Sequence, residues 1–394
     1  MRVLWFSVTP SMYSPRTNSH NGGGWISSLE RIVRTVDEVE LGVAFDYPEE
    51  TFRQEVEGVV YYPISKPHTL DLFLEIVRDF RPDLIQIFGS ENDFGQICGQ
   101  VDVPVLIHLQ GCIPPIENAL FPVDVNQWDF LFGKGLTLRR RFIGIRSRQA
   151  FQKRAQSEVE TIQRCQYFMG RTDWDKSMVS LFNPKAKYFH CEEALRDSFI
   201  HGDKRWHQNE QQRKTIVSVI SNPWYKGADL ILKTARILRQ FTDIDYEWKV
   251  YGVSDIRFYE HKFKIKAEDV AVNVMGTASQ EQLADALCQC SCMVHPSYID
   301  NSPNSICEAQ YLGVPVIATN VGGIPSLVKD GETGLLIPAN APYDLAAKIK
   351  TLLGNPQLQL TLSENAMRKA HDRHNPETIK STLIDIYHQI LKDE

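Results

Sequence analysis

Two acids stand eight positions apart, Asp300 and Glu308, in the stretch "YIDNSPNSICEA" at residues 298–309. Ionised carboxylates make charge-assisted hydrogen bonds to hydroxyl groups. Between the two acids, a Ser-Pro-Asn-Ser corner leads into a helix pattern that begins near Ser305 and ends at Gly313, a suitable C′ residue. The N–H groups of a first helical turn and the helix dipole favour a phosphate, which puts Asn304 and Ser305 at the contact. Local readings compete with this one. Ser305 and Glu308 fit the S-x-x-E spacing of a capping box, and an Asp-Asn pair is common in turns. Two further groups could join the acids: Lys226 before Gly227 in "SNPWYKGADLI", and His108 at the end of "VPVLIHL". A lone His at a strand end also serves as an ordinary structural residue.

The elements around these residues decide where they can meet. The chain opens with the apolar run Val3–Val8, then a polar loop reaching "NGGGW", then "WISSLERIVRTV" with apolar residues at helical spacing. The runs "LGVAF", "DLIQIFG" and "VPVLIHL" follow, with the helical pattern "TLDLFLEIVRDF" between two of them. The polar segment 201–215 interrupts the pattern and reads as a domain linker. A second series then runs through "IVSVI", "GADLILKTARILRQF", "EWKVYG", "VAVNVMG", "SQEQLADALCQC", "CMVHPS", "VPVIAT" and "SLVKDGETGLLI", closing on the amphipathic tail "NPETIKSTLIDIYHQILK". Alternating strands and helices predict parallel sheets covered on both faces, α/β in class. In such sheets ligands sit outside the carboxyl ends of strands, which is where the candidate residues fall.

A chain of 394 residues predicts two domains. Its 43% hydrophobic and 23% charged residues are those of an ordinary globular protein. The net charge of −6 gives no general attraction to nucleic acid. The apolar run at the N-terminus is too short for a signal h-region, and no run of 18 apolar residues occurs, so the expected location is cytoplasmic, at most touching a membrane. The eight cysteines read as reduced thiols, and Cys288, Cys290 and Cys292 lack a fourth ligand for zinc. Arg139, Arg140, Arg141, Arg146, Arg148, Lys153 and Arg154 share one helical stretch. That stretch is either a solvated face or a surface for an anionic acceptor or anionic lipid.

The piece from 294 to 338, with its strand, Gly-Gly turn, helix, Asp-Gly turn and strand, resembles the nucleotide-binding half of the retaining GT-B glycosyltransferases of family 4. That family carries an E-x7-E pattern whose second acid holds the donor ribose and whose first lies against the transferred sugar. By resemblance these are Glu308 and Asp300, the latter one methylene shorter than the family's Glu. The family's glycine pair near the donor diphosphate corresponds to Gly22-Gly23-Gly24, of which Gly23 and Gly24 are the candidates. Its Arg and Lys-Gly pair corresponds to Ser221-Asn222 and Lys226-Gly227. Lys226 then supplies most of the fixed positive charge, with Asn222 and Arg171 as assistants. Gly252, closing "EWKVYG", completes the donor-binding set, and His108 takes the family's place near the sugar.

The resemblance implies two doubly wound Rossmann-like domains facing each other across a cleft. These would cover 1–200 and 213–374, with 375–394 crossing back as a final helix. It implies a hexosyltransferase that moves a sugar from a nucleoside diphosphate sugar to a glycan or lipid-linked acceptor with retention, in polysaccharide or glycolipid assembly. It also implies neither cofactor nor metal. Asp173-Trp174-Asp175 looks like a D-x-D metal clamp, but it precedes a helix pattern in which Asp173 serves as N-cap. The rival functions are a non-catalytic nucleotide-sugar-binding subunit, a nucleotide-sugar epimerase, and a NAD-dependent oxidoreductase. The last needs G-x-G-x-x-G after a strand where this chain has "NGGGWI".

Overall fold

The computed structural model describes residues 1–13, 24–48, 53–208, 212–221 and 224–393, without the side chains of 127, 139, 140 and 143–145. It divides into two compact units, Met1–Pro114 with Lys153–Asp197 and Arg373–Glu394, and Pro115–Gln152 with Ser198–Asp372. Residues 115–152 thus group with the second unit, and the last helix with the first.

The first unit is built on β1 (Arg2–Ser7), β2 (Glu40–Asp46), β3 (Gln54–Val56), β4 (Val59–Ile64), β5 (Leu84–Phe88), β6 (Val105–His108), β7 (Tyr167–Gly170) and β8 (Lys187–His190). Among the described residues they form one sheet in the order β3-β4-β2-β1-β5-β6-β7-β8. Pairing is parallel except at the β3–β4 hairpin. Val3 to Phe6 are all fully buried, as a strand covered on both faces requires. The amphipathic C-terminal helix Pro376–Asp393 buries Ile379, Leu383, Ile386, Tyr387 and Ile390 in this core. Each such side chain contributes about 1.5–3 kcal/mol of transfer free energy. The Tyr387 hydroxyl donates to Gln86 Oε1 at 2.5 Å and accepts from Trp5 Nε1 at 3.2 Å.

The second unit is built on β9 (Lys214–Val219), β10 (Tyr246–Tyr251), β11 (Val272–Gly276), β12 (Cys292–His295), β13 (Val316–Thr319) and β14 (Leu335–Ile337). Their order is β11-β10-β9-β12-β13-β14, parallel throughout. Chain order reverses direction between β9 and β12. Such a switch point opens a crevice outside the strand ends, because the two loops leave toward opposite faces of the sheet. Here those loops are 220–227 and 296–303.

Candidate active site

Backbone geometry first brings these two loops together. Gly227 has φ +79°, and a Cβ there would stand 2.0 Å from the Pro296 carbonyl oxygen, so only glycine permits this approach. Tyr298 N–H donates to the Tyr225 carbonyl at 2.8 Å, stitching one loop to the other. The Tyr298 hydroxyl donates to Asp229 Oδ2 at 2.7 Å, and Lys233 reaches the same oxygen at 2.9 Å. Gly322 lies equally close on the far side, where a Cβ would meet the Asp300 carbonyl oxygen at 1.9 Å. Gly323 N–H donates to that oxygen at 3.0 Å.

The side chains of Lys226, Asp300 and His295 converge at this junction. Lys226 Nζ donates to Asp300 Oδ2 at 2.6 Å, and His295 Nε2 lies 2.8 Å from the same oxygen. Ser297 Oγ is 3.0 Å from His295 Nε2, and Asn301 N–H donates to Asp300 Oδ1 at 3.1 Å. Burial alone would push the Asp300 carboxyl up; the Lys226 ammonium and the His295 ring outweigh it and hold the carboxyl well below the usual range. The Lys226 and Asp300 side chains keep 14% and 12% of their surface exposed, enough for a ligand to reach them. His295 is 2% exposed, and its Nδ1 is buried without a hydrogen-bond partner. Nothing in the sequence reading singled out His295. Its signal was a polar ring at the end of an otherwise apolar strand, five positions before the acid.

The helix Asn304–Leu312 begins after Pro303, whose side chain cannot cap it, and ends at Gly313 with φ +86°. Ser305 therefore lies inside the first turn and makes no capping box with Glu308. Glu308 is buried at 1% exposure. Asn304 and Ser305 occupy the first two helical positions, where backbone N–H groups precede the i→i−4 ladder.

Of the remaining candidates, Ser221 is exposed just beyond β9. Gly252 has φ +89°, and a Cβ there would stand 2.4 Å from the Ile220 carbonyl oxygen, so it permits the ends of β9 and β10 to lie close. Gly24 is the first residue of the helix Gly24–Val33. Gly22, Gly23 and Asn222 lie outside the described residues.

His108, in the first unit, ends β6 and is buried at 1% exposure. Its Nδ1 is 3.4 Å from Gln86 Nε2 and its Nε2 is 3.5 Å from Glu193 Oε1. Arg171 Nη2 pairs with Glu193 Oε2 at 3.1 Å, and Gln110 Nε2 donates to Oε1 at 3.2 Å. Burial would raise the Glu193 carboxyl; Arg171 and then His108 pull it below its ordinary value. The charge of Arg171 is thus engaged by a buried acid. Thr172, not Asp173, caps the helix Asp173–Phe182, and Asp175 closes its capping box by accepting from Thr172 N–H at 3.2 Å. The cap thus stands one residue before Asp173, the cap expected from the sequence. Among the described residues no cluster of three or more metal-ligating side chains occurs, and no helix is long and apolar enough to cross a membrane.

Comparison with known proteins bears on the fold and on part of the chain. Residues 202–369 match the family "Glycosyl transferases group 1". The "Uncharacterized glycosyltransferase MJ1178" of Methanocaldococcus jannaschii is 33% identical over 140 residues, 36% of this chain and 38% of that one. A D-inositol 3-phosphate glycosyltransferase of Streptomyces bingchenggensis is 34% identical over 136 residues, 34% of this chain and 30% of that one. The chain therefore matches less than two fifths of the length of these relatives. The structure of sucrose-phosphate synthase from Thermosynechococcus elongatus superposes over 100% of both chains with a TM-score of 0.71 at 15% identity. Anabaena Alr3699/HepE in complex with UDP-glucose does so over 99% of this chain and 100% of its own, with a TM-score of 0.66 at 14% identity. The chain has the GT-B fold of two parallel-sheet domains, and its residues 202–369 are similar to the group 1 glycosyl transferases.

Proposed function

We propose that the protein is a retaining glycosyltransferase that moves a hexosyl group from a nucleoside diphosphate sugar to an acceptor hydroxyl. The observation that carries this reading is the Lys226–Asp300 pair, 2.6 Å apart at the switch point of the second sheet. Breaking the bond between the anomeric carbon and the phosphate oxygen makes the sugar positive and the diphosphate negative. An ammonium beside a carboxylate, both fixed before reaction, stabilises that charge separation by facing each developing charge with one of opposite sign. Lys226, the Gly23 and Gly24 backbone and the helix start at Asn304 and Ser305 would receive the diphosphate. Ser221, Asn222 and Gly252 would border the nucleotide, and Glu308 would orient the ribose. Asp300 would hold the sugar, and His108, buried at 1% exposure, would have to be uncovered for the contact that the resemblance implies. The acceptor oxygen would bond to the anomeric carbon on the face the phosphate leaves, with its proton passing to the departing phosphate oxygen. Positive charge and N–H groups at the leaving group would do there what a metal ion does in other transferases. The Alr3699/HepE structure with UDP-glucose favours a uridine diphosphate sugar as the first donor to try; a glycan or lipid-linked hydroxyl would be the acceptor.

Donor turnover measured with and without a glycan acceptor tests this, with the product's anomeric configuration read by NMR. Nucleoside diphosphate released with a glycosylated, retained product is expected. Interconversion of the donor sugar without acceptor would make the protein an epimerase. The pairing of Lys226 with Asp300 also favours a second reading, a binding subunit without turnover, because the site's main cation is already neutralised. Tight donor binding with no release under any acceptor would establish that reading.

A further inference from the structure

From Phe130 to Ser157 the chain carries eight lysines and arginines and no acid. The helix Gln127–Phe132 and the start of the helix Leu138–Arg164 are held together by Arg141, whose guanidinium donates to the carbonyls of Leu131 at 2.7 Å and Leu136 at 3.4 Å. One side of the short helix is anchored. Phe130 is fully buried, stacked on Phe258 and set edge-on to Trp224, with ring centroids 5.1 and 4.3 Å away. The other side is not. Trp128 and Phe132, one turn apart with rings stacked at 6.3 Å, are 60% and 73% exposed. Leu138 and Phe142, one turn apart on the next helix, are 75% and 60% exposed. Lys134, Arg146 and Arg148 are exposed along the same stretch. Nearby acids subtract little. Asp129 is held by Lys262 at 2.7 Å, Glu117 lies 3.6 Å from Arg148, and Asp124 is exposed before the short helix. Lys134, His261 and Lys262 also line a recess of about 370 Å³ beside the short helix.

We infer that this face of the second unit, from Trp128 to Arg148, docks on the surface of an anionic lipid bilayer. Four bulky apolar side chains in water are costly, and their burial in the headgroup–acyl boundary returns that free energy while adjacent cations meet anionic headgroups. An aromatic ring and a guanidinium suit that boundary together, since one end is apolar and the other wet. Duplex nucleic acid offers the cations a partner but leaves Phe132 and Leu138 in water. The inference does not depend on the catalytic reading, because docking is measured without donor.

Flotation of the full chain with vesicles of phosphatidylcholine alone, and of phosphatidylcholine mixed with phosphatidylglycerol, tests it. The protein is expected to float with the mixed vesicles only, and added salt should release it. Trp128→Ala with Phe132→Ala should lower the partition coefficient at least tenfold. Lys134→Gln with Arg146→Gln should lower it by about 25-fold, about fivefold per charge. Both pairs are exposed, so an unchanged melting temperature is expected and verifies the fold. No flotation, equal flotation with both vesicles, or flotation unaffected by both double variants overturns the inference. So does a face that instead binds duplex DNA or self-associates with the same sensitivity to the variants.

Discussion

The two units carry the same kind of trio, a base, a histidine and a carboxylate, at the carboxyl ends of their sheets, in opposite states of access. In the second unit, Lys226 and His295 meet Asp300, and the pair Lys226–Asp300 keeps over a tenth of its surface in solvent. In the first unit, Arg171 and His108 meet Glu193, with the Arg and Glu side chains at 2% exposure and the His at 1%. Both carboxyls lie below their ordinary values for the same reason, a neighbouring cation that overcomes burial. An exposed ion pair can exchange a partner for a ligand, because water and ligand compete on similar terms. A sealed pair cannot do so without opening the core around it, and removing one member strands a buried charge. The cation types fit this division. Arginine's planar fork suits a fixed buried acid, whereas lysine's compact charge on a flexible stem suits a contact that must change.

The largest effect is expected in the sealed trio. Arg171→Ala leaves Glu193 buried and uncompensated, and should destabilise the first unit by about 3–5 kcal/mol, read as a fall in melting temperature. The sign of the pH dependence follows from Glu193, whose carboxyl is depressed in the folded chain. Its stabilising contribution is complete above the ordinary carboxylate range near about 4 and is lost as pH falls through the folded value. A protonated Glu193 no longer needs the guanidinium, so the gap between wild type and variant should narrow below that pH. A gap that stays constant would mean the loss comes from packing alone.

In the open trio the same kind of change should strike activity before stability. Lys226→Ala is expected to slow single-turnover transfer by about 30- to 1,000-fold, the range for removing one preorganised donor to a developing anion. Its melting temperature should fall less than that of Arg171→Ala. Wild-type turnover and donor affinity in this variant would remove Lys226 from the site.

Glu308→Gln keeps the volume of a buried side chain and replaces its carboxyl with an amide. Transfer reduced at least tenfold, with a melting temperature within a few degrees of wild type, is expected from the weakened hydrogen bond to hydroxyls. Unchanged turnover would return Glu308 to a packing role.

The smallest effect is assigned to His295, which acts through Asp300. His295→Phe removes one hydrogen bond to the carboxylate, about 1 kcal/mol or fivefold in rate. Because His295 helps to hold the Asp300 carboxyl down, the acidic limb of the activity profile should move to higher pH in the variant. An unmoved limb would show that Lys226 alone sets Asp300.

Much of this was legible in the chain before any coordinates. Continuous apolar runs such as Val3–Phe6 and the helical spacing of "GADLILKTARILRQF" declared two parallel-sheet units, since burial on both faces leaves no room for polar alternation. Asp300, Glu308 and the Lys226-Gly227 pair were visible through their resemblance to the family's E-x7-E and Lys-Gly motifs, each of which lies within one short stretch of chain. The Ser305–Glu308 spacing misled, because Pro303 starts the helix earlier than a capping box would, and hydroxyl-to-acid spacing alone cannot tell a cap from a first-turn residue. His295 and Glu193 were not visible as partners of Asp300 and His108. Periodicity and composition are written along the chain, whereas Lys226 reaches Asp300 across 74 positions and His108 meets Glu193 across a separation of 85, through the order in which strands are laid side by side. The sequence by itself determined which elements form and which residues could carry charge at their ends. Only the tertiary structure decided which of those charges share an oxygen, and which of the two resulting trios is left within reach of water.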